Sequence, residues 1–331
     1  MTLLASMLAD LPDPDELARA AVAGRAGSVL RPTSALARLD EVAAWLAAWQ
    51  RTERPGVGRP HAIVFAADHG VASAGVSAYP VEVTAAMLDA LEKRAATASA
   101  MAATIGATLD VIDAGVGRPT GDIRFGPAMD TARFDEAVQL GADAVARAEA
   151  ADLLVLGEMG IGNTTAAAAV AASLFGEPAD RWCGRGTGLD DEGLARKIDA
   201  VEACRVRVRE ITSDPIEVLR EAGGAELAAI AGAMLEARRR SIPVVLDGYV
   251  VTAAVAPLEV ARPGALAHVV AGHRSAEAGH GRLLHRLGLR PLLDLDLRLG
   301  EGTGALAAVP LIKLAAAAVV EVATFEEWGL T

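Results

Sequence analysis

The sequence predicts an α/β fold in which a mainly parallel sheet is flanked by helices on both faces, and three observations predict it. Short apolar runs that end in glycine-containing turns alternate with Ala-rich segments of helical spacing. Most of those runs read as continuously apolar, as strands buried on both faces do. Of the 331 residues 52% are hydrophobic but only 3% aromatic, so the core must be built from Ala, Val and Leu, a composition that favours closely packed helices.

The elements follow in order. Residues 1–55 read as helical, because Asp13 to Ala23 and Ser34 to Trp49 place apolar residues three and four apart. Pro55 to Pro60 marks a linker, and His61 to Ala66 is the first strong strand, ending in Asp68-His69-Gly70. Thr108 to Asp113 leads into Ala114-Gly115-Val116-Gly117, Leu153 to Leu156 into Gly157 to Gly162, and Pro243 to Leu246 into Asp247-Gly248. The run Pro291 to Leu295 leads towards Gly300. In a parallel sheet the ligand site lies outside the carboxyl ends of the strands, and the glycine-rich turns fall there.

A net charge of −12 argues against nucleic acid or an anionic membrane as partner, and the shortage of aromatics removes stacking platforms for single strands. Two cysteines, Cys183 and Cys204, form no CxxC, which fits a reducing compartment. The first twenty residues lack a basic start and carry acids early, so no secretion signal is expected and a cytoplasmic location is. Ala305 to Phe325 is the most membrane-like stretch, but Lys313 and Glu321 would be penalised in hydrocarbon; a helix buried in a core or subunit interface is expected.

Four segments carry chemistry. In Gly157-Glu158-Met159-Gly160-Ile161-Gly162-Asn163-Thr164-Thr165 the glycines let backbone approach a ligand, and the start of the following helix, near Ala166, favours an anion. Asn163, Thr164 or Thr165 is the expected cap, and an ordinary capped turn is the plain alternative. The segment is neither a Walker A motif nor G-x-G-x-x-G. Gly184-Arg185-Gly186-Thr187-Gly188 follows the same logic and leads into a helix carrying Lys197, either a counter-charge to phosphate or a residue on a solvated face. His268, His273, His280 and His285 have spacings of five and seven that do not place them on one helical face, so metal ligation is not expected; Ser275 and Glu277 among them are better polar contacts. Gly300-Glu301-Gly302-Thr303-Gly304 puts one acid between glycines, either a general base open to a ligand or an acid at a helix start.

Together these stretches resemble the nicotinate-nucleotide–dimethylbenzimidazole phosphoribosyltransferase family. The resemblance rests on DHGVASAGVSAYPVEVT at Asp68, GEMGIGNTT at Gly157, GRGTGLDDEGLARK at Gly184, GGAELAAIAGA at Gly223, LDGYV at Leu246, AGHRSAEAGH at Ala271 and LRLGEGTGA at Leu297. They run in order from about residue 30 to the end. The resemblance implies transfer of the 5-phosphoribosyl group from nicotinate mononucleotide to 5,6-dimethylbenzimidazole. Glu301 matches the family's general base and Glu158 a carboxylate near the ribose. Gly160, Gly186 and Lys197 match positions near the phosphate, Ser275 a contact near the nicotinate, and Tyr79 the wall of the base pocket. Gly162, Asn163 and Thr164 in the first turn and Asp247 after the fourth run complete the candidate substrate contacts. The resemblance also implies a Rossmann-like sheet domain (60–304), a small helical domain from both chain ends (1–59 and 305–331), a homodimer, and no cofactor or metal.

The chain departs from the family pattern where Ala86 replaces a Gln of the base-pocket helix, which opens the acceptor to another benzimidazole or a purine. Two other classes stand beside this reading. A non-catalytic nucleotide-binding or regulatory protein would gain nothing from Glu301 and Glu158, and a dinucleotide oxidoreductase lacks G-x-G-x-x-G.

Overall fold

The computed structural model describes residues 2–330. Strands β1 (Pro60–Ala67), β2 (Thr108–Gly115), β3 (Leu153–Met159), β4 (Val244–Leu246) and β5 (Val269–Ala271) form a sheet in the order β2-β1-β3-β4-β5, with every pairing parallel. The continuous apolar runs bury both faces. Ile63, Phe65, Leu154, Leu156, Val244 and Leu246 belong to one core; Ala62, Val64, Leu153, Val155, Val245 and Val270 belong to the other.

On the first face lie α6 (Thr131–Arg147), α7 (Asn163–Phe175), α10 (Ala225–Arg239) and α11 (Tyr249–Ala261), with α8 (Asp191–Arg207), α9 (Pro215–Ala222) and α12 (His280–Arg286) outside them and α1 (Leu3–Met7) against α6. The small-residue core lets helices approach closely. A Cβ on Gly141 of α6 would stand 1.8 Å from Ala229 O of α10, so α6 and α10 touch backbone to backbone. On the second face lie α2 (Glu16–Ala26), α3 (Ala37–Gln50), α4 (Val83–Glu92), α5 (Thr97–Thr104) and α13 (Thr303–Val320). Helix α13 is long and apolar enough to cross a membrane, but Leu306, Val309, Ile312 and Val319 are buried in the second core. The two chain ends meet there: α13 packs on α2 and α3, and also on β3 and β4.

The structure corrects three local expectations. The fifth strand is Val269–Ala271 and not Pro291 to Leu295, of which Leu293 alone bridges to His273. Proline has no N–H for a ladder, and the remainder of that run is open coil. Strand β3 runs on through Gly157, Glu158 and Met159, so its turn begins at Gly160. Helix α7 begins at Asn163 and not near Ala166, and its cap position is Gly162 at φ 96° with no side-chain cap, so Asn163, Thr164 and Thr165 all stand inside the helix.

Candidate active site

The strand order diverges at β1, with β2 on one side and β3 on the other, which places a crevice at the carboxyl ends of β1 and β3. A cavity opens beside it. It is lined by Glu158 at the end of β3, Gly160, Asn163 and Thr164 after it, Gly186 from the loop before α8, Gly248 after β4, His273 and Ser275 after β5, and Arg298 to Gly300 before α13. The enclosed volume is about 100 Å³, and at the mouth Arg298 and Leu299 are exposed. Roomier clefts of about 530 and 710 Å³ lie at the sheet edge and at the amino ends of the strands, but none of their ionisable side chains is buried.

Glu301 is 2% exposed and sits at φ 59° between Gly300 at 86° and Gly302 at 78°. A left-handed non-glycine residue costs about 1–2 kcal/mol, so the surroundings must hold it. Glu301 N donates to Glu158 O at 3.0 Å, and Thr303 Oγ1 donates to Gly300 O at 2.7 Å. Asp247 accepts from Gly302 N at 3.2 Å and Ala305 N at 3.0 Å, supplying from just after β4 the cap that Gly302 cannot. Gly157 completes the arrangement, because a Cβ there would meet Gly302 N at 2.4 Å. Burial raises the Glu301 carboxyl, the Ala98 N–H bonded to it opposes this, and the Asp247 charge raises it further.

Glu158 faces the same cavity and accepts from the Asn163 side-chain amide. Burial first, then the Asp247 and Glu226 carboxylates, push it well above the ordinary carboxyl range, against the Asn163 bond. Its ionisation therefore becomes favourable when a cation enters. Below Gly160, His69 Nε2 lies 2.6 Å from Glu226 Oε1, and both side chains are buried. A Cβ on Gly160 would stand 2.5 Å from Ala67 O, so only glycine lets this turn lie against the end of β1.

At the opposite end Lys197 is 1% exposed, which excludes the solvated-face alternative. Its Nζ donates to Thr164 Oγ1 at 2.9 Å and Gly184 O at 3.0 Å, beside Gly186. Burial lowers its pKa, and the Glu277 charge opposes this. A lysine offers three N–H donors, so one remains for an anion. The uncapped amino end of α7 borders the same space.

The structure gathers Glu158, Gly160, Asn163, Thr164, Gly186, Ser275 and Gly300 around one cavity, with Glu301, Gly162 and Lys197 next to its walls. Two expected contacts are placed otherwise. Tyr79 is 52% exposed and lies outside the lining. Asp247 commits its oxygens to the start of α13 and is 1% exposed, so it shapes the site from behind. The four histidines disperse: His268 is buried against Met234 O, His285 is exposed, and only His273 and His280 adjoin, with ring centroids 5.9 Å apart. Burial pushes His268 and His280 down to about 3, which keeps both neutral. Arg298, Thr252 and the His69–Glu226 pair escaped sequence reasoning. The motif Asp68-His69-Gly70 was the available signal for the pair; its partner lies 157 residues away.

Comparison with known proteins converges on the same chemistry. A family profile described as phosphoribosyltransferase matches residues 11–330. A nicotinate-nucleotide–dimethylbenzimidazole phosphoribosyltransferase of Mesorhizobium japonicum is 49% identical over 322 residues, which is 97% of this chain and 95% of that protein. The protein of that name from Cereibacter sphaeroides is 47% identical over 97% of this chain and 94% of its own. Among solved structures, CobT from Thermus thermophilus superimposes with a TM-score of 0.91 at 43% identity, over 95% of this chain and 99% of that one.

Proposed function

The chain belongs to the nicotinate-nucleotide–dimethylbenzimidazole phosphoribosyltransferase family, and from that membership we propose that it transfers the 5-phosphoribosyl group of nicotinate mononucleotide to 5,6-dimethylbenzimidazole. The products are nicotinate and α-ribazole 5′-phosphate, a step in assembling the nucleotide loop of cobalamin. The observation that carries this reading is the Glu301 turn, a buried carboxyl with a raised pKa held beside Glu158 at the edge of the cavity.

The donor's pyridinium nitrogen leaves as a neutral ring and takes the bonding electron pair, so the leaving group needs no proton. Positive charge grows on the sugar carbon, and Glu158, ionised by the cationic donor, complements it. The acceptor nitrogen attacks from the opposite face and becomes cationic. Glu301 removes the ring N–H proton, and a base whose pKa is raised towards the working pH does this best. Lys197, Thr164 and the backbone at Gly160 and Gly186 hold the phosphate, and Ser275 lies at the nicotinate end.

Ala86 is exposed on α4 and has no amide to offer an acceptor, so the acceptor extends to other benzimidazoles or a purine. Residues 60–304 are proposed as the catalytic domain, with 1–59 and 305–331 as a helical cover. A cytoplasmic homodimer is part of the proposal. An apolar cleft between α5 and α13, lined by Met101, Ile105, Leu306 and Pro310, and the exposed Leu314 support a subunit contact, which light scattering of the purified protein tests. The function is tested by incubating the protein with nicotinate mononucleotide and a panel of bases. Nicotinate release with dimethylbenzimidazole supports it, and no release with any base overturns it.

A further inference from the structure

Ser275 stands at the end of a hydrogen-bond relay whose proton positions follow from the geometry. Thr252 of α11 is buried, and its Oγ1 lies 2.8 Å from Gly248 O and 3.0 Å from His280 Nε2. A hydroxyl has one proton, and a carbonyl has none to give. Thr252 therefore donates to Gly248 O and accepts from His280, whose proton must sit on Nε2. The ring is 0% exposed, and its pKa is pushed down to about 3 by burial, His273 and Arg274, so it stays neutral and Nδ1 is bare. Nδ1 accepts the backbone N–H of Ser275 at 2.8 Å and lies 3.0 Å from Ser275 Oγ. An imidazole nitrogen has a single in-plane lone pair, and the backbone N–H already claims it. The Ser275 hydroxyl proton is thus left for whatever enters the cavity that this residue lines.

We propose that His280, locked in one tautomer by Thr252, is a positioning residue that presents Ser275 as a hydroxyl donor to a carboxylate on the departing ring. It thereby favours a carboxylate-bearing pyridine mononucleotide over its carboxamide counterpart. This rests on the reading that the cavity binds such a mononucleotide. A hydrogen bond to an anion is roughly twice as strong as one to a neutral amide, which for one donor amounts to about five- to tenfold in selectivity. The carboxylate keeps this contact as the ring departs, so the interaction is uniform and appears in KM, with kcat unchanged.

The test compares nicotinate mononucleotide with nicotinamide mononucleotide as donors for the wild type, Thr252→Val and Thr252→Ser. Valine keeps the shape of threonine but cannot accept the Nε2 proton. The ring is then free to move its proton to Nδ1, where it opposes the Ser275 N–H. Thr252→Val is expected to raise KM for nicotinate mononucleotide about five- to tenfold, leave kcat within about twofold, and reduce the selectivity for the carboxylate donor by a similar factor. Thr252→Ser keeps the acceptor and behaves as the wild type. Selectivity unchanged in a folded Thr252→Val protein overturns the proposal. Independently of any variant, ¹⁵N NMR of the wild type is expected to show His280 protonated on Nε2 with Nδ1 bare, and the reverse pattern also overturns it. A wild type that consumes neither donor sinks the functional reading, a result distinct from wild-type turnover with selectivity that Thr252→Val leaves intact.

Discussion

Glu301 and Lys197 are both buried charges at the carboxyl ends of the strands, but the fold holds them by different means. Lys197 projects from a regular helix, α8, on a flexible four-carbon stem, and only its tip is stitched, to Thr164 and Gly184. Glu301 is placed by its backbone, with three consecutive left-handed residues clamped by Glu158 O and Asp247 and pressed on Gly157. A stem absorbs small displacements by changing rotamers, but a clamped turn has no such slack. The group proposed to take up one proton is accordingly the group given the stiffer support.

Four perturbations break or sharpen that contrast. The largest effect is expected from Glu301→Gln, which preserves shape but removes the base: kcat should fall about 10²- to 10⁴-fold with little change in donor KM, measured by nicotinate release. An undiminished kcat would remove Glu301 from its role. Next comes Gly157→Ala, which touches no substrate but drives a methyl into the backbone at Gly302. Displacing Glu301 by about 1 Å should lower kcat on the order of 10²-fold. Gly126→Ala, where an added methyl meets nothing within 4 Å, is the control and should leave kcat unchanged. If both substitutions behave alike, the turn is not stiff.

On the flexible side, Lys197→Met should raise KM for nicotinate mononucleotide about 10- to 100-fold, the loss of a charge-assisted hydrogen bond, with a smaller effect on kcat. A loss confined to kcat would place the lysine at the reacting atoms and not at the phosphate.

The last prediction concerns stability and leaves rate aside. Burial raises Asp247 from 3.8 to about 6, against the backbone N–H groups of Ala305, Gly304, Gly302 and Gly248. The folded state therefore binds this proton more tightly than the unfolded chain does. The associated stability is fully present below the unfolded value and is lost as pH rises through about 6, a change on the order of 3 kcal/mol. Urea unfolding between pH 4.5 and 7 should show wild-type stability falling relative to Asp247→Asn, which cannot titrate. Parallel pH profiles would mean that Asp247 titrates as an ordinary carboxylate.

Much of this architecture was legible in the sequence, and the exceptions are instructive. His61 to Ala66 reads as a strand because it is a largely apolar run of strand length that stops at a glycine-containing turn, and Thr108 to Asp113 does so from Leu109, Val111 and Ile112 and the glycine turn behind them. Val269–Ala271 did not, because three residues between His268 and Gly272 carry no periodicity. Pro291 to Leu295 carried the apolar run, but only Leu292 and Leu293 hydrogen-bond along the end of β5, as a single bridge and not a strand. In the site, the motifs around Glu158, Lys197, Ser275 and Glu301 announced themselves because glycines beside a charge are locally conspicuous. Nothing local announced that Asp247 caps α13 across 58 residues, or that Thr252 sets the proton of His280 across 28.

The α/β class, the covered parallel sheet and the glycine-flanked acid of the Gly300 to Gly304 turn were determined by the sequence alone, because periodicity and glycine placement act within a few residues. Tertiary structure decided where each charge stands. Lys197 is buried and faces Gly186 where sequence left a solvated face open, and Glu301, directly before the cap of α13, is buried and clamped by Asp247 and Glu158. Burial and hydrogen-bond partners come from segments far apart in the chain, and only packing the two sheet faces brings those segments together.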